Sequence, residues 1–238
     1  MRAIAILVLA VAPMAAQVFE VASIKPGDPT SPESGWNEGN GEIHIRNMPL
    51  RRLVLFAYNV KEYQLSGGPK WMDNEGYTII AKLENRTRTG MIRGGDPRLR
   101  AAMQALLAER FQLAIHRDTR ELPGYALVPA KGGSKLRPLD SEGIPAWGTG
   151  SGNARFNHSS MAELASGLSD LIGRPVADRT EIPGVYDVKL TWAPENQPDA
   201  TGSSIFTALQ EQAGLRLEAR KVPVEVIVID KAEKPSEN

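Results

Sequence analysis

The feature that most constrains the fold of this chain is an internal repeat, because four segments of the first half recur in order in the second half. The numbering offset between matched residues falls from 111 through 109 and 102 to 100, as small deletions in connecting loops produce. The matched segments are 45–57 with 156–168, 77–83 with 186–192, 106–118 with 208–220, and 121–131 with 221–231. Four ordered matches over most of the chain predict two tandem copies of one module.

Each copy has the pattern of an α+β module in which small mixed sheets pack on helices. Apolar residues alternate with period two at 43–45 and 77–83, and they recur at helical spacing in Leu50–Asn59 and Ala162–Ile172. The predicted order is strand, helix, short strand, strand, helix and closing hairpin. The remaining predicted elements are helices at Arg98–Arg110 and Ser204–Ala213, short strands near Gln64–Ser66 and Pro175–Ala177, hairpins that take in 121–131 and 221–231, and an extra strand at Val18–Ile24.

Stretches rich in Gly, Pro, Ser, Asn and Asp divide the chain. Such residues favour turns over regular structure, and they predict loops at Gly27–Gly41, Asn85–Pro97, Lys131–Asn153 and Ala193–Ser203. The third stretch ends in GTGSGN and is the natural linker. The predicted organisation is a signal peptide at 1–16, a first module with the extra N-terminal strand at 17–132, a linker at 133–152, a second module at 153–232 and an exposed tail at 233–238.

The first residues are typical of a secretory signal peptide. A positive start at Met1-Arg2 is followed by an unbroken apolar run, Ala3–Ala12, and then by a proline and small residues before Gln17. This run is short for a membrane span, and no second stretch approaches membrane length. The alternative is an uncleaved anchor or a buried helix. We expect cleavage after Ala16 and an exported protein, periplasmic or extracellular, with no membrane span after cleavage.

Charge and cysteine content exclude several classes of function. The 28 Lys and Arg residues balance 28 Asp and Glu residues, so the basic surplus typical of nucleic-acid binding is missing. The chain has no cysteine, which excludes disulfides, thiolate metal sites and a cysteine nucleophile. His44, His116 and His158 come from distant segments without an i, i+4 pair, so we predict no metal site and no cofactor.

The sequence contains no recognisable catalytic motif. The GxSxG turn that exposes a serine nucleophile is missing. The serines at 159–160 and Glu163 predict a capping box at the start of a helix. The alternative function is a hydrolase with a site between the modules. Its candidate residues are Asp178, Asp187 and His158. The leading prediction is a protein without catalysis, so we assign no catalytic residue.

Two tryptophans are the candidate binding residues. Trp36 and Trp147 lie in Gly-rich predicted loops, whereas Trp71 and Trp192 adjoin patterned segments and are predicted core anchors. Aromatic side chains among small polar residues are a common contact chemistry. The alternative is that Trp36 and Trp147 fold back over an edge of their module.

Five strings carry a resemblance to a known family: FEVASIKP at 19–26, GGPKW at 67–71, LLAERFQLAIHR at 106–117, YALVPAKGG at 125–133 and VIDKAEKPSEN at 228–238. Together they resemble a soil-associated, Acidobacteria-rich family of exported proteins of unknown function. The domain also resembles segments fused to membrane zinc-peptidase sensors, although this chain has no HExxH motif and is similar to a stand-alone member. This resemblance implies export and no established reaction.

The order of elements is similar to that of the short N-terminal domain of secretins and TonB-dependent receptors. That resemblance implies a periplasmic contact domain without catalysis, in which exposed sheet edges serve for docking. We therefore expect an exported, non-enzymatic binding or interaction module of the cell envelope, whose partner is an envelope protein or a glycan. A secreted hydrolase is the alternative, and a self-associating structural protein of the envelope is the third possibility.

The signal-peptide prediction can be tested by intact-mass analysis of the protein exported by a bacterial host. We expect the mature chain to begin at Gln17 and Leu9→Arg to prevent processing, because a charge interrupts the apolar run. Full-length protein in the membrane fraction would indicate an anchor instead.

Overall fold

The computed structural model describes residues 19–31, 33–39, 42–83, 96–140, 143–194 and 202–235. The described strands are β1 (Phe19–Pro26), β2 (Gly35–Gly39), β3 (Glu42–Pro49), β4 (Leu65–Gly67), β5 (Gly76–Leu83), β6 (Ala114–Pro129), β7 (Ala146–Gly150), β8 (Asn153–Ser159), β9 (Val176–Asp178), β10 (Tyr186–Thr191) and β11 (Leu215–Lys231). The described helices are α1 (Leu50–Tyr58), α2 (Trp71–Asn74), α3 (Pro97–Arg110), α4 (Met161–Ile172) and α5 (Ile205–Ala208), with a 3-10 turn at Glu62–Gln64 and a π-helical turn at Leu209–Ala213. The predicted signal peptide at 1–16 lies outside the described residues, as does most of two predicted loops, Asn85–Pro97 and Ala193–Ser203.

The chain divides into two compact units. Unit 1 holds Met1–Arg117 and Ile227–Asn238, and unit 2 holds Asp118–Val226. Each unit has its own cluster of buried apolar side chains. The structure is an α+β fold with small sheets and few helices, as the sequence predicts. None of the helices in the described ranges has the length and apolar character that a membrane crossing requires.

Unit 1 is built on a four-stranded antiparallel sheet in the order β1-β5-β3-β2. Alternation along β3 places Ile43 and Ile45 inside and His44 outside. Helix α1 covers the inner face with its buried residues, Leu50, Leu53, Val54 and Ala57. A smaller ladder joins β4 in parallel to the end of β11, where Leu65 pairs with Ile227.

Unit 2 is built on a three-stranded antiparallel sheet. Its antiparallel sheet has the order β10-β8-β7, and β10 alternates with Val188 and Leu190 inside and Lys189 outside. Helix α4 packs on the sheet with the predicted stripe, Met161, Leu164, Ala165 and Leu168. Strand β9 pairs in parallel with β6, where Val176 lies opposite Tyr125.

The helix ends follow from local chemistry. The Ser160 hydroxyl accepts a hydrogen bond from the Glu163 backbone N–H at 3.3 Å, and the Glu163 carboxylate accepts one from the Ser160 backbone N–H at 2.8 Å. This capping box confirms the prediction and gives Ser160 a structural role. The π-helical turn after α5 ends at Gly214 with φ 66°, a left-handed conformation that glycine adopts without strain.

The predicted closing hairpins are wrong. Strands β6 and β11 continue through 121–129 and 221–231 without turning back. Gly124 is extended within β6, and a Cβ atom there would overlap the carbonyl oxygen of Pro175. The Tyr125 backbone N–H donates to that same oxygen at 2.8 Å. Gly124 therefore allows a neighbouring segment to approach the strand closely, which is a common use of glycine inside a sheet.

Each long strand contributes to both units. Strand β6 begins in unit 1 and continues in unit 2, whereas β11 begins in unit 2 and ends in unit 1. Leu127 of β6 belongs to the core of unit 2, and Ile227 and Ile229 of β11 belong to the core of unit 1. The core of unit 1 is therefore completed by residues near the C-terminal end of the chain, whereas unit 2 is one continuous segment, 118–226.

Two of the predicted loops contain strands. Strand β2 lies within Gly27–Gly41 and β7 lies within Lys131–Asn153, and the segment predicted as a linker belongs to unit 2. Both strands are rich in glycine and have little strand propensity of their own. They are ordered by pairing with the strand that follows, β3 for β2 and β8 for β7.

The role of Gly124 can be tested by Gly124→Ala, with Gly148→Ala as control because a Cβ atom at Gly148 meets nothing within 4 Å. We expect Gly124→Ala to lower the free energy of unfolding by about 1–3 kcal/mol, and the control to change it by less than about 0.5 kcal/mol. Urea denaturation followed by far-UV circular dichroism measures both. Equal effects would show that the close approach to Pro175 does not constrain this position.

Candidate functional site

Trp147 lies on β7, the edge strand of the unit 2 sheet. Its side chain is 46% exposed, and its ring stacks on Phe156 of β8 with centroids 5.9 Å apart and planes 12° apart. Phe156 itself is fully buried. One face of the indole is therefore held against the protein while much of the ring remains in solvent.

Trp36 has the corresponding place in unit 1 but a different environment. It lies on the edge strand β2 opposite Ile45, as Trp147 lies opposite Phe156. Its ring packs on Phe56 of α1 with centroids 4.5 Å apart, and it is half-buried against the core. The structure thus separates the two predicted binding residues, since Trp36 is covered by a helix side chain and Trp147 is not.

The two tryptophans differ in exposure because the phenylalanine beside each one lies in the helix of unit 1 but in the sheet of unit 2. Unit 1 has Ile45 in the sheet and Phe56 in the helix, and 111 residues later unit 2 has Phe156 and Gly167. A Cβ atom at Gly167 would overlap the Phe156 ring, so the helix carries no side chain there. The sequence gives all four residues, but the difference between the two tryptophans becomes interpretable only when Phe156 is known to contact Gly167.

The chain around Trp147 is exposed and uncharged. Every residue from Gly143 to Ser151 is exposed, Ile144 to 88%, and the sequence GIPAWGTGS contains no Asp, Glu, Lys or Arg. Edge strands of soluble proteins usually carry charges or bulges that prevent pairing with other chains. Strand β7 has neither feature, which makes it an accessible pairing surface.

The opposite edge strand of the same sheet, β10, has hydrogen-bond partners outside the sheet near both of its ends. The Gln212 side-chain carbonyl accepts from the Thr191 backbone N–H at 3.0 Å, and its NH₂ group donates to the Thr191 carbonyl at 2.8 Å. The Leu139 backbone N–H donates to the Val185 carbonyl, just before β10, at 2.9 Å. Strand β7, by contrast, pairs only with β8 among the residues that the structure describes.

Two of the three hydrolase candidates lie together in unit 2. The Asp187 Oδ1 atom accepts a hydrogen bond from the His158 backbone N–H at 2.9 Å and lies 3.9 Å from His158 Nδ1. His158 has φ 47°, where the register between β8 and β10 shifts. The carboxylate thus holds a left-handed residue at a β-bulge. The third candidate, Asp178, accepts instead from the backbone N–H and hydroxyl of Thr180, at 2.9 and 2.8 Å.

Unit 1 has a bulge of the same kind, formed by residues whose side chains have no acid–base chemistry. Asn47 has φ 48° at the register shift between β3 and β5, and its backbone N–H donates to Thr78 Oγ1 at 3.3 Å. An amide and a hydroxyl therefore serve where unit 2 has an imidazole and a carboxylate. Backbone geometry alone accounts for the contact between His158 and Asp187.

The other histidines lie on exposed strand faces, as predicted. His44 Nε2 is 3.2 Å from Glu42 Oε2, and His116 Nδ1 is 2.8 Å from Asp230 Oδ1, with about half of each side chain exposed. Within the described ranges, no group of three or more His, Cys, Asp or Glu residues is arranged to hold a metal ion. Each histidine side chain is thus paired with one carboxylate near the surface.

The other two tryptophans pack against the cores. Trp71 is partly buried against the unit 1 cluster and Trp192 against the unit 2 cluster, as predicted for core anchors. Trp71 also meets Tyr77 edge to face, with ring centroids 6.3 Å apart. Trp147 is therefore the tryptophan among the four with the largest exposed fraction.

The fold defines a class, an α+β protein of two compact units with small sheets. Residues 51–232 match the model of a family described as "Protein of unknown function (DUF3738)". Because the match covers well over half of the chain, this protein belongs to that family. Comparison with curated proteins and comparison with solved structures find no match.

The two tryptophan environments predict unequal contributions to stability. Trp36→Ala should lower the free energy of unfolding by about 2–3 kcal/mol, because a half-buried ring loses its packing on Phe56. Trp147→Ala should lower it by about 1 kcal/mol or less, because much of the ring is already in water. Urea denaturation followed by circular dichroism checks both variants, and a larger loss for Trp147→Ala would contradict the assigned environments.

Proposed function

We propose that this protein is an exported, non-enzymatic interaction module of the cell envelope, which binds an extended segment of another envelope protein along β7. The observation that carries the proposal is the open, uncharged β7 edge with the half-exposed ring of Trp147 on it. The backbone groups of β7 pair with the added segment, and the indole packs against one of its side chains. Export rests on the signal-peptide pattern of 1–16.

A protein segment suits this surface better than the other predicted ligand, a glycan. A strand edge of five residues presents a row of backbone donors and acceptors at the spacing of another strand. The zero net charge of the chain favours contacts of short range over long-range steering. A glycan that stacks on Trp147 is the competing ligand, and the experiment below separates the two.

We also propose that the two units are copies of one duplicated module. Each unit has an edge hairpin followed by a helix, a short parallel strand, a further antiparallel strand and a second helix. Several residues at matched positions have the same structural role. The pairs are Trp36 and Trp147 opposite a buried residue, Asn47 and His158 at a left-handed bulge, Tyr77 and Tyr186 in the core, and Gln112 and Gly214 at a left-handed helix end.

Self-association is the second candidate function, because the same edge serves it. Two copies that pair their β7 strands would bury Trp147 and Ile144 without any other partner. Such a protein would be a structural component of the envelope. The partner-binding and self-associating forms differ in solution mass over a concentration series.

The test is in-cell crosslinking of the tagged mature protein, followed by purification and mass spectrometry. We expect the wild type to capture an envelope protein and Trp147→Ala to reduce its recovery at least about tenfold, as truncation of a central interface aromatic does. Gly148→Pro, which removes one backbone donor from β7, should have the same effect.

Trp36→Ala is the matched control, because Trp36 occupies the corresponding strand position but is covered by Phe56. It should retain the partner, provided that circular dichroism shows it to be folded. Capture of the bait alone as crosslinked dimers would support self-association, and recovery of a glycan would replace the protein partner. Equal loss in both tryptophan variants would contradict a site on β7.

A further inference from the structure

On the outer face of the unit 2 sheet, β7 carries no side chain larger than a methyl group. Strand residues alternate between the two faces, and Trp147 lies on the inner face because it pairs with the buried Phe156. The β7 residues of the outer face are Ala146, Gly148 and Gly150. A Cβ atom at Gly148 would meet nothing within 4 Å. The outer face of β7 is therefore open to side chains that reach across it from either neighbouring strand.

Two cations lie next to this open part of the outer face. Arg155 of β8 pairs with Gly148, and Lys189 of β10 pairs with Arg155. Both side chains are exposed. Like charges directly opposite each other in a sheet are destabilising. The free protein therefore carries an unfavourable contact that a carboxylate from outside the chain would relieve.

The chain itself supplies no such carboxylate among the described residues. Within the described ranges, neither Arg155 nor Lys189 forms a hydrogen bond or an ion pair through its side chain. Asp187 lies two residues before Lys189 on β10, but its Oδ1 atom accepts a hydrogen bond from the His158 backbone N–H at 2.9 Å. The two cations are thus available to an acidic group of a partner.

The corresponding place in unit 1 is neutralised by its own residues. His44 of β3 lies where β8 has Arg155, and it pairs with the uncharged Ile80 of β5. The Nε2 atom of His44 is 3.2 Å from Glu42 Oε2. Uncompensated cations therefore occur in the unit whose edge tryptophan is exposed, and the charge and the aromatic ring flank the same strand edge.

The spacing of strands brings a partner's acidic side chain within reach of Arg155. A strand added to β7 lies two strand spacings from β8, which is about 10 Å. Arg155 can extend across Gly148, where no side chain intervenes, and a glutamate of the added strand can extend to meet it. An arginine and a carboxylate in this arrangement form charge-assisted hydrogen bonds.

We propose that the segment bound by β7 alternates apolar and acidic residues, with a glutamate on the outer face beside Gly148 and an apolar residue on the inner face beside Trp147. This inference rests on the proposed strand addition at β7 and names the chemistry of the partner. A second copy of β7 does not fit, because its sequence AWGTG contains no acidic residue. The occupant is therefore an acidic segment of another protein.

Three end-blocked heptapeptides that differ in one central charge test the proposal: TSVEVST, TSVQVST and TSVKVST. Each is titrated into the ¹⁵N-labelled protein that begins at Gln17, and the backbone amide resonances of 146–150 are followed by NMR. We expect the glutamate peptide to bind about three- to fivefold more tightly than the glutamine peptide, and the lysine peptide to bind more weakly than both. Raising NaCl from about 50 mM to about 500 mM should remove most of this difference.

Two substitutions of equal charge locate the effect. Arg155→Gln should abolish the preference for glutamate over glutamine and leave the protein folded, since it removes a like-charge contact. Arg174→Gln removes another exposed arginine of unit 2 and should retain the preference. Thermal unfolding followed by circular dichroism checks that both variants are folded.

The outcomes separate this inference from the proposed function. Shifts at 146–150 with equal affinity for the three peptides, or with preference for lysine, would overturn the acidic partner and leave strand addition at β7 in place. A preference that survives Arg155→Gln, or that Arg174→Gln removes equally, would also overturn it. No shift at 146–150 with any peptide would contradict the β7 site and this inference together.

Discussion

The structure depends on two long strands that run through both units without turning. Strand β6 supplies Leu127 to the core of unit 2, and β11 supplies Ile227 and Ile229 to the core of unit 1. The short parallel strands β4 and β9 pair with these parts of β11 and β6. An isolated short strand cannot satisfy its backbone groups or bury its side chains, so the long strands supply what β4 and β9 lack.

Differences in side-chain volume at matched positions decide which surfaces the two units expose. Where unit 1 has Phe56 in its helix, unit 2 has Gly167, and the ring of Phe156 fills the space from the sheet. Trp36 packs on Phe56, whereas the edge tryptophan of unit 2, Trp147, is left half-exposed. The two units therefore present different strand edges, an exposed aromatic edge in unit 2 and a covered one in unit 1.

Periodicity predicted the helices and their buried faces well, and it predicted the edges poorly. The stripes of α1 and α4 and the capping box at Ser160 follow from spacing, because a helix is specified by residues three and four apart. Strands β2 and β7 were predicted as loops because glycine has no preference for strands, and a neighbouring strand supplies their order. Trp147 was found as a candidate because it is an aromatic residue among small ones.

The sequence by itself determined the α+β class, the order of most elements and the inward face of each, because these properties depend on neighbours within a few residues. Only the tertiary structure decided that Gly124 lies inside a continuous strand, that the end of β11 completes the core of unit 1, and that Trp147 is exposed while Trp36 is covered. Those outcomes depend on contacts between residues far apart in the chain, such as Tyr125 with Pro175 and Phe156 with Gly167. Local patterns contain no information about which distant segment completes a core or leaves an edge open.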